Sequence, residues 1–337
     1  MMGTPARSPT LEMVAARAGV SRATVSRVVN ASPTVTAEVA ALVHAAISDL
    51  SYVPNRAARS LASRTTQVIA LVVPESTAKV FADPFFASVV QGVALYLAET
   101  DYTLNLLIAS ETTSDKTRRY LLGGNVDGAL VVSHHSGDHS YTHLGQGLPV
   151  VFGGRPLSAD ALFGHYVDVD NVSGGRLATR HLIERGCRSI ATIAGPQDMP
   201  AGIDRLIGWR NAVTAAGLDE SLVEYGNYSP ADGAAAMRRL LDRRVPIDGL
   251  FVFSDQLAAG AYSVMREAGL SIPGDIAVVG YDDDRYASTV LPTLTTVNQA
   301  PVEMGARMAE IVVRLIGGEQ VETATIMPTK LVVRESA

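Results

Sequence analysis

Arg22, Ala23, Ser26 and Arg27 fall at helical spacing on one face of a short segment and offer two guanidinium groups, a hydroxyl and a methyl. That is the chemistry of base-edge readout in a DNA major groove. Arginine grips guanine through two hydrogen bonds, a methyl group meets the thymine methyl, and serine reaches base or phosphate. A second set lies far downstream: Ser133-His134-His135, Gly154-Arg155, Tyr228, Ser254-Asp255 and Asp282, with Phe85 and Phe86 in a loop. Carboxylates, hydroxyls and aromatic faces together are what a polyhydroxylated sugar or a nucleoside would need. A third set, the histidines at 134, 135, 139 and 143, has one i,i+4 pair but neither an intervening glutamate nor a nearby cysteine, so no metal site is expected.

The first set requires a helix-turn-helix. Thr10 caps one helix, with Leu11, Val14, Ala15 and Ala18 on its inner face. Gly19 makes the turn and Ser21 caps a second helix that buries Val25, Val28 and Val29. Thr36 caps a third, whose Val39, Leu42, Val43, Ala46, Ile47 and Leu50 close the small core. Pro54 then breaks the chain, and Asn55 starts an alanine-rich helix of under three turns. A helix that short is marginal in water unless something packs on it. Leu61 on that helix either packs on the body or acts as a wedge in the minor groove.

From residue 66 the pattern changes to strands alternating with helices, with buried-type runs at 68–73, 102–108, 128–133, 149–152, 189–194, 249–253, 276–281 and 293–297. That order specifies a parallel, doubly wound α/β architecture. The segment 126–133 echoes 247–254, which predicts two similar lobes with a ligand cleft at the carboxyl ends of their strands. Asp170-Asn171 precedes a helix and reads as a cap.

Charge separates the two parts. Residues 1–65 hold seven arginines and three acids, a balance of +4, while the whole chain carries −6, so the remainder holds −10. A basic head on an acidic body fits contact with phosphates through the head alone. The 337 residues contain one cysteine, which fits a reducing compartment, and no long apolar run or leader-like amino terminus, so a cytoplasmic protein without a membrane partner is expected. Nucleotide-binding glycine loops and the Gly-x-Ser-x-Gly elbow are missing, which leaves an enzyme reading without a motif and predicts no cofactor.

Residues 10–62 closely resemble the headpiece and hinge of the lactose/galactose repressor (LacI–GalR) family of bacterial transcription regulators. The similarity continues through 126–132, Asp170-Asn171, 277–283 and 328–336. It implies a helix-turn-helix headpiece (1–53), a hinge helix and linker (54–65), and a two-lobed effector domain like the periplasmic binding proteins. The lobes would be 66–166 with 297–326, and 167–296 with 327–337. It implies DNA contacts from Thr10, Ser21, Arg22, Ala23, Ser26, Arg27, Asn30, Asn55, Arg56 and Leu61. Effector contacts would come from Phe85, Phe86, Ser133, His134, Arg155, Arg205, Tyr228, Ser254, Asp255 and Asp282.

Two departures argue against a galactoside: Ser254 stands where the lactose repressor has asparagine, and Gly154 where it has aspartate. Arg155 beside that glycine points to an anionic or bulkier effector. The expected protein is a homodimeric repressor on a near-palindromic duplex, released by a small carbohydrate-type effector. The alternatives are a solute-binding protein and an α/β enzyme with an appended DNA-binding head. If Arg22 reads a base, Arg22→Ala weakens operator binding by about 1–3 kcal/mol and relaxes sequence preference, measured by competition among mutated duplexes; an unchanged preference removes Arg22 from the readout.

Overall fold

The computed structural model describes residues 9–29, 32–53, 65–109, 114–136, 144–157 and 164–337. Contacts divide the chain into two compact units, Met1–Thr66 and Gln67–Ala337.

The amino-terminal unit holds α1 (Leu11–Ala18), α2 (Arg22–Val29) and α3 (Ala37–Asp49). The Thr10 hydroxyl accepts from the Met13 amide, Ser21 from Thr24 and Thr36 from Val39, so each helix starts at a side-chain cap. Gly19 takes the left-handed conformation (φ 68°) that turns the chain from α1 into α2. Val14, Val25 and Val43 are fully buried, and Tyr52 closes the same core. Leu42, expected inside, is 53% exposed; it sits one position short of Val43, on the outer side of α3.

The second unit carries two six-stranded sheets. The first has the order β11-β5-β4-β3-β1-β2, from β1 (Val68–Val73), β2 (Thr103–Ile108), β3 (Gly128–Val132), β4 (Val150–Gly153), β5 (His165–Val169) and β11 (Ala324–Met327), and every pairing is parallel. The second has the order β12-β10-β9-β8-β6-β7, from β6 (Ile190–Ala194), β7 (Val223–Tyr225), β8 (Gly249–Val252), β9 (Ala277–Asp282), β10 (Thr295–Asn298) and β12 (Lys330–Val332). It is parallel except that β12 runs antiparallel to β10. The echoed segments form β3 and β8, which hold the same position in the two sheets.

The central strands are buried on both faces. Along β1, Ile69, Leu71 and Val73 enter one core and Val68, Ala70 and Val72 the other, the two-residue period of a strand. Strand pairing moves the lobe limits one to three residues past the expected ones: all of β5 and β11 pair in the first sheet and all of β10 in the second, so the crossings fall after 169, 298 and 327 instead of 166, 296 and 326. The strands at 165–169, 223–225 and 324–327 lie outside the expected runs: the last two are short edge strands with half-exposed residues, and the first is a five-residue strand interrupted by His165 and Asp168, so none carries an apolar block.

The helices of this unit are α4 (Thr77–Ala82), α5 (Pro84–Leu97), α6 (Ser114–Tyr120), α7 (Asn171–Glu184), α8 (Pro200–Ala215), α9 (Pro230–Asp242), α10 (Asp255–Glu267), α11 (Arg285–Thr289) and α12 (Pro301–Ile316). Three neighbouring pairs meet through reciprocal glycines: Gly92 with Gly305, Gly175 with Gly208, and Gly233 with Gly260. A Cβ on Gly92 would lie 1.9 Å from the Val302 carbonyl oxygen. Since backbone must then move, Gly92→Ala is expected to destabilise this unit by about 1–3 kcal/mol, read as a lower midpoint in chemical denaturation; an unchanged midpoint means that α5 and α12 have slack.

Candidate functional site

In the headpiece, Arg22, Ala23 and Arg27 are exposed on α2 and Ser26 is half-buried, so the four lie away from the valine face. Ser21 spends its hydroxyl on the cap of α2 and also bonds the Thr24 hydroxyl (2.8 Å). Arg22 lies 3.2 Å from Glu12, with both side chains largely exposed, a pair weak enough to exchange for a phosphate or base. Asn30, Asn55, Arg56 and Leu61 lie outside the described residues, as do His139 and His143.

The second site is a cavity of about 100 Å³ between the two sheets, walled by loops at the carboxyl ends of strands from both. Lobe one contributes Lys79, Asp83, Phe85, Phe86, Ser133, His134, Gly153, Gly154, Asp168 and Met304; lobe two contributes Met199, Arg205, Tyr228, Ser254 and Asp282; Asn171 and Gln299 stand where the chain passes between lobes. Phe86 packs into the core of lobe one (3% exposed), while Phe85 is half-buried, set edge-on to it at 5.6 Å. Ser133, Tyr228 and Asp282 all have positive φ (60°, 53° and 115°). Such backbone strain in side-chain-bearing residues concentrates where a ligand site dictates geometry.

Arg205 is the centre of the lobe-two wall. It is 4% exposed and gives hydrogen bonds to Asn171 Oδ1 (2.9 Å), the Phe253 carbonyl (2.5 Å) and Gln299 Oε1 (3.1 Å). Asp282 Oδ1 lies 3.6 Å from it, and its guanidinium stacks 3.5 Å from the Tyr281 ring centroid. Asp282 also accepts from Gln299 (2.6 Å); burial pushes its carboxyl pKa up, and the Arg205 charge opposes that rise. The cation, its carboxylate and two amides therefore leave a wall rich in hydrogen-bonding atoms with little net charge.

His134 contacts the Arg155 carbonyl through Nε2 (3.3 Å), while its Nδ1 is buried and unpartnered. Burial pushes its pKa down to about 4, so the ring is neutral; with the proton on Nε2, Nδ1 is an acceptor. The Tyr228 hydroxyl is likewise buried without a partner, and burial pushes it up to about 12. Unsatisfied buried polar atoms cost about 1–3 kcal/mol each, which favours any arrangement that supplies partners.

Two expected residues, Arg155 and Asp255, lie away from the cavity wall. Arg155 is absent from the cavity wall: its guanidinium makes a two-point ion pair with Asp204 (2.6 and 2.7 Å), joining lobe one to α8 of lobe two. The anionic-effector expectation tied to Arg155 falls with that pair. Asp255 is fully buried and away from the cavity, accepting from the Thr296 hydroxyl (2.7 Å) and the Asp284 amide (2.9 Å), so it braces β10 and α11. Ser254 reaches the cavity, but its hydroxyl caps α10. Asp170 caps α7 as expected, whereas Asn171 belongs to the site.

Sequence reading missed Glu75, Lys79, Asp168, Asp204 and Gln299: Glu75 and Gln299 lie in loops past strand ends, Lys79 and Asp204 on α4 and α8, and Asp168 inside β5. Glu75 accepts from Lys79 (2.7 Å), Ser133 (2.7 Å) and His135 (3.2 Å); burial would raise it, but these hydrogen bonds pull it down to about 2. His135 bridges Glu75 to Asp198 of lobe two (2.9 Å). Its hydrogen bond to Glu75, helped by Asp198 and opposed by burial, raises it to about 9.

A His pKa above its ordinary 6.5 means that the charged bridge stabilises the folded protein fully below pH 6.5 and loses that contribution as pH rises through about 9. The melting-temperature advantage of the native chain over His135→Gln should therefore shrink from pH 6.5 to 9.5. A constant difference shows that the imidazolium contributes nothing.

Residues 10–55 match the family described as "Bacterial regulatory proteins, lacI family", and residues 179–337 match the "Periplasmic binding protein-like domain". The HTH-type transcriptional regulator CelR of Thermobifida fusca is 48% identical over 335 residues, covering 98% of each chain. Among solved structures, a complex of the transcriptional regulator CelR with cellobiose is 46% identical and superposes with a TM-score of 0.77 over 98% of this chain and 100% of that one. A lac repressor dimer bound to operator and the anti-inducer ONPF is 26% identical, with a TM-score of 0.86 over 98% and 99% of the two chains.

Proposed function

The chain belongs to the lacI family of bacterial regulatory proteins, and from that premise we propose that a neutral saccharide of the cellobiose class lodges in its cavity and releases it from its operator. The protein is a DNA-binding transcriptional regulator with a small helical headpiece and a two-lobed α/β effector domain. It acts as a homodimer on a near-palindromic duplex, with α2 in the major groove and Arg22, Ala23, Ser26 and Arg27 toward the bases. Residues 54–65 serve as the hinge and linker between headpiece and effector domain. Working on chromosomal DNA places it in the cytoplasm, and the saccharide leaves chemically unchanged.

The observation that carries the effector class is the charge balance of the cavity wall. Both of its cations, Lys79 and Arg205, face carboxylates, Glu75 and Asp282, while His134 is neutral. An anion would find no free positive charge there, whereas hydroxyl groups would find donors, acceptors and the Phe85 face. Cellobiose, the molecule held by the CelR complex, has that chemistry. Binding across two lobes biases their relative arrangement, and a coupling of about 1–3 kcal/mol changes operator occupancy several- to a hundredfold.

Fluorescence anisotropy on a labelled duplex from the gene's own upstream region tests this. Cellobiose should displace the native protein, and Arg205→Ala should bind the duplex normally but ignore the sugar. Tighter binding with cellobiose would make it a co-repressor ligand, and no response to any saccharide would overturn the carbohydrate assignment.

A further inference from the structure

The cavity does not end at Tyr228. Lys79, Asp83 and Tyr228 line it and also form part of the wall of a second chamber of about 330 Å³. That outer chamber lies between α4 of lobe one, through Ala78, and lobe two, through Asn227, Asp232 and Gln256. Its polar groups are only partly used within the protein. Asn227 accepts from Lys79 with Oδ1 (3.2 Å), Gln256 donates to Asp284 with Nε2 (2.6 Å), and Asp232 accepts from Ser229 with Oδ2 (2.5 Å). An amide nitrogen, an amide oxygen and a carboxylate oxygen remain among the lining residues, a donor and two acceptors of the kind that grip hydroxyl groups. Of these three shared residues, Lys79 forms the flexible part of the partition: its ammonium bridges Glu75 and Asn227 at the end of a four-carbon stem. The rotatable bonds of such a stem allow other rotamers on the same backbone.

We propose that the two chambers are consecutive subsites for one linear oligosaccharide: the inner cavity takes a terminal ring, the outer chamber takes the next, and the chain passes Lys79. This rests on the carbohydrate reading of the inner cavity. It adds that length is recognised, by residues other than those that recognise the terminal ring.

The test is a binding series on the full chain with glucose, cellobiose, cellotriose and cellotetraose, using calorimetry and, for millimolar affinities, ligand-observed NMR. Affinity should rise at least tenfold from glucose to cellobiose. Ala78→Trp, on an exposed face of α4 and outside the inner cavity, should abolish that gain while leaving glucose affinity within twofold and operator binding unaltered. Gln256→Ala should cost cellobiose and longer chains three- to tenfold and glucose nothing. Affinity independent of length, or an Ala78→Trp loss shared equally by glucose, overturns the subsites while leaving the carbohydrate reading intact. Failure of every saccharide to bind overturns that reading itself.

Discussion

One buried cation organises the effector domain. Arg205 cannot lose its charge, and a guanidinium taken out of water costs several kcal/mol unless it is fully engaged. The fold meets that demand by bringing four separate strand ends to it: Asn171 after β5, Phe253 after β8, Asp282 at the end of β9 and Gln299 after β10. Tyr281 closes one face of the plane, and the glycine contact between α7 and α8 sets the distance, since a Cβ on Gly175 would lie 2.4 Å from the Arg205 carbonyl oxygen. Asn171 and Gln299 also mark two of the passages between lobes. A ligand that alters the surroundings of Arg205 therefore acts on the joints about which the lobes would move.

A second layer of charge crosses directly from lobe to lobe. Arg155 with Asp204, His135 with Asp198, and Lys79 with Asn227 each join side chains from different sheets. All three are polar and partly accessible, so each is weak compared with the apolar cores of the individual lobes. Rigid lobes joined by exchangeable polar links form an assembly in which a modest binding energy can select an arrangement. The cavity between those links is electrically balanced, which suits a neutral ligand and removes the argument for an anion.

The misplaced residues share a cause. Arg155 and Asp255 both follow strands, and that position predicts a cleft residue. A strand end fixes the neighbourhood of a side chain, but which way it turns depends on partners distant in the chain: Asp204 for Arg155, and Thr296 and Asp284 for Asp255. Asn171 shows the converse, since its neighbour Asp170 supplies the cap and frees it to face Arg205.

What the chain order could settle was whatever depends on near neighbours. The caps at Thr10, Ser21 and Thr36, the Gly19 turn, the outward face of α2 and the apolar runs of the central strands all obey spacing rules of a few residues, and the repeated segment announced two alike lobes. Tertiary structure alone decided the rest: the crossings after 169, 298 and 327, the strands at 165–169, 223–225 and 324–327, the Glu75–His135–Asp198 bridge and the partition at Lys79. The hydrogen bonds of that bridge and partition join groups separated by about 60 to 150 positions. Hydrogen bonds and ion pairs act over a few ångströms, so no local periodicity encodes which distant loops will meet.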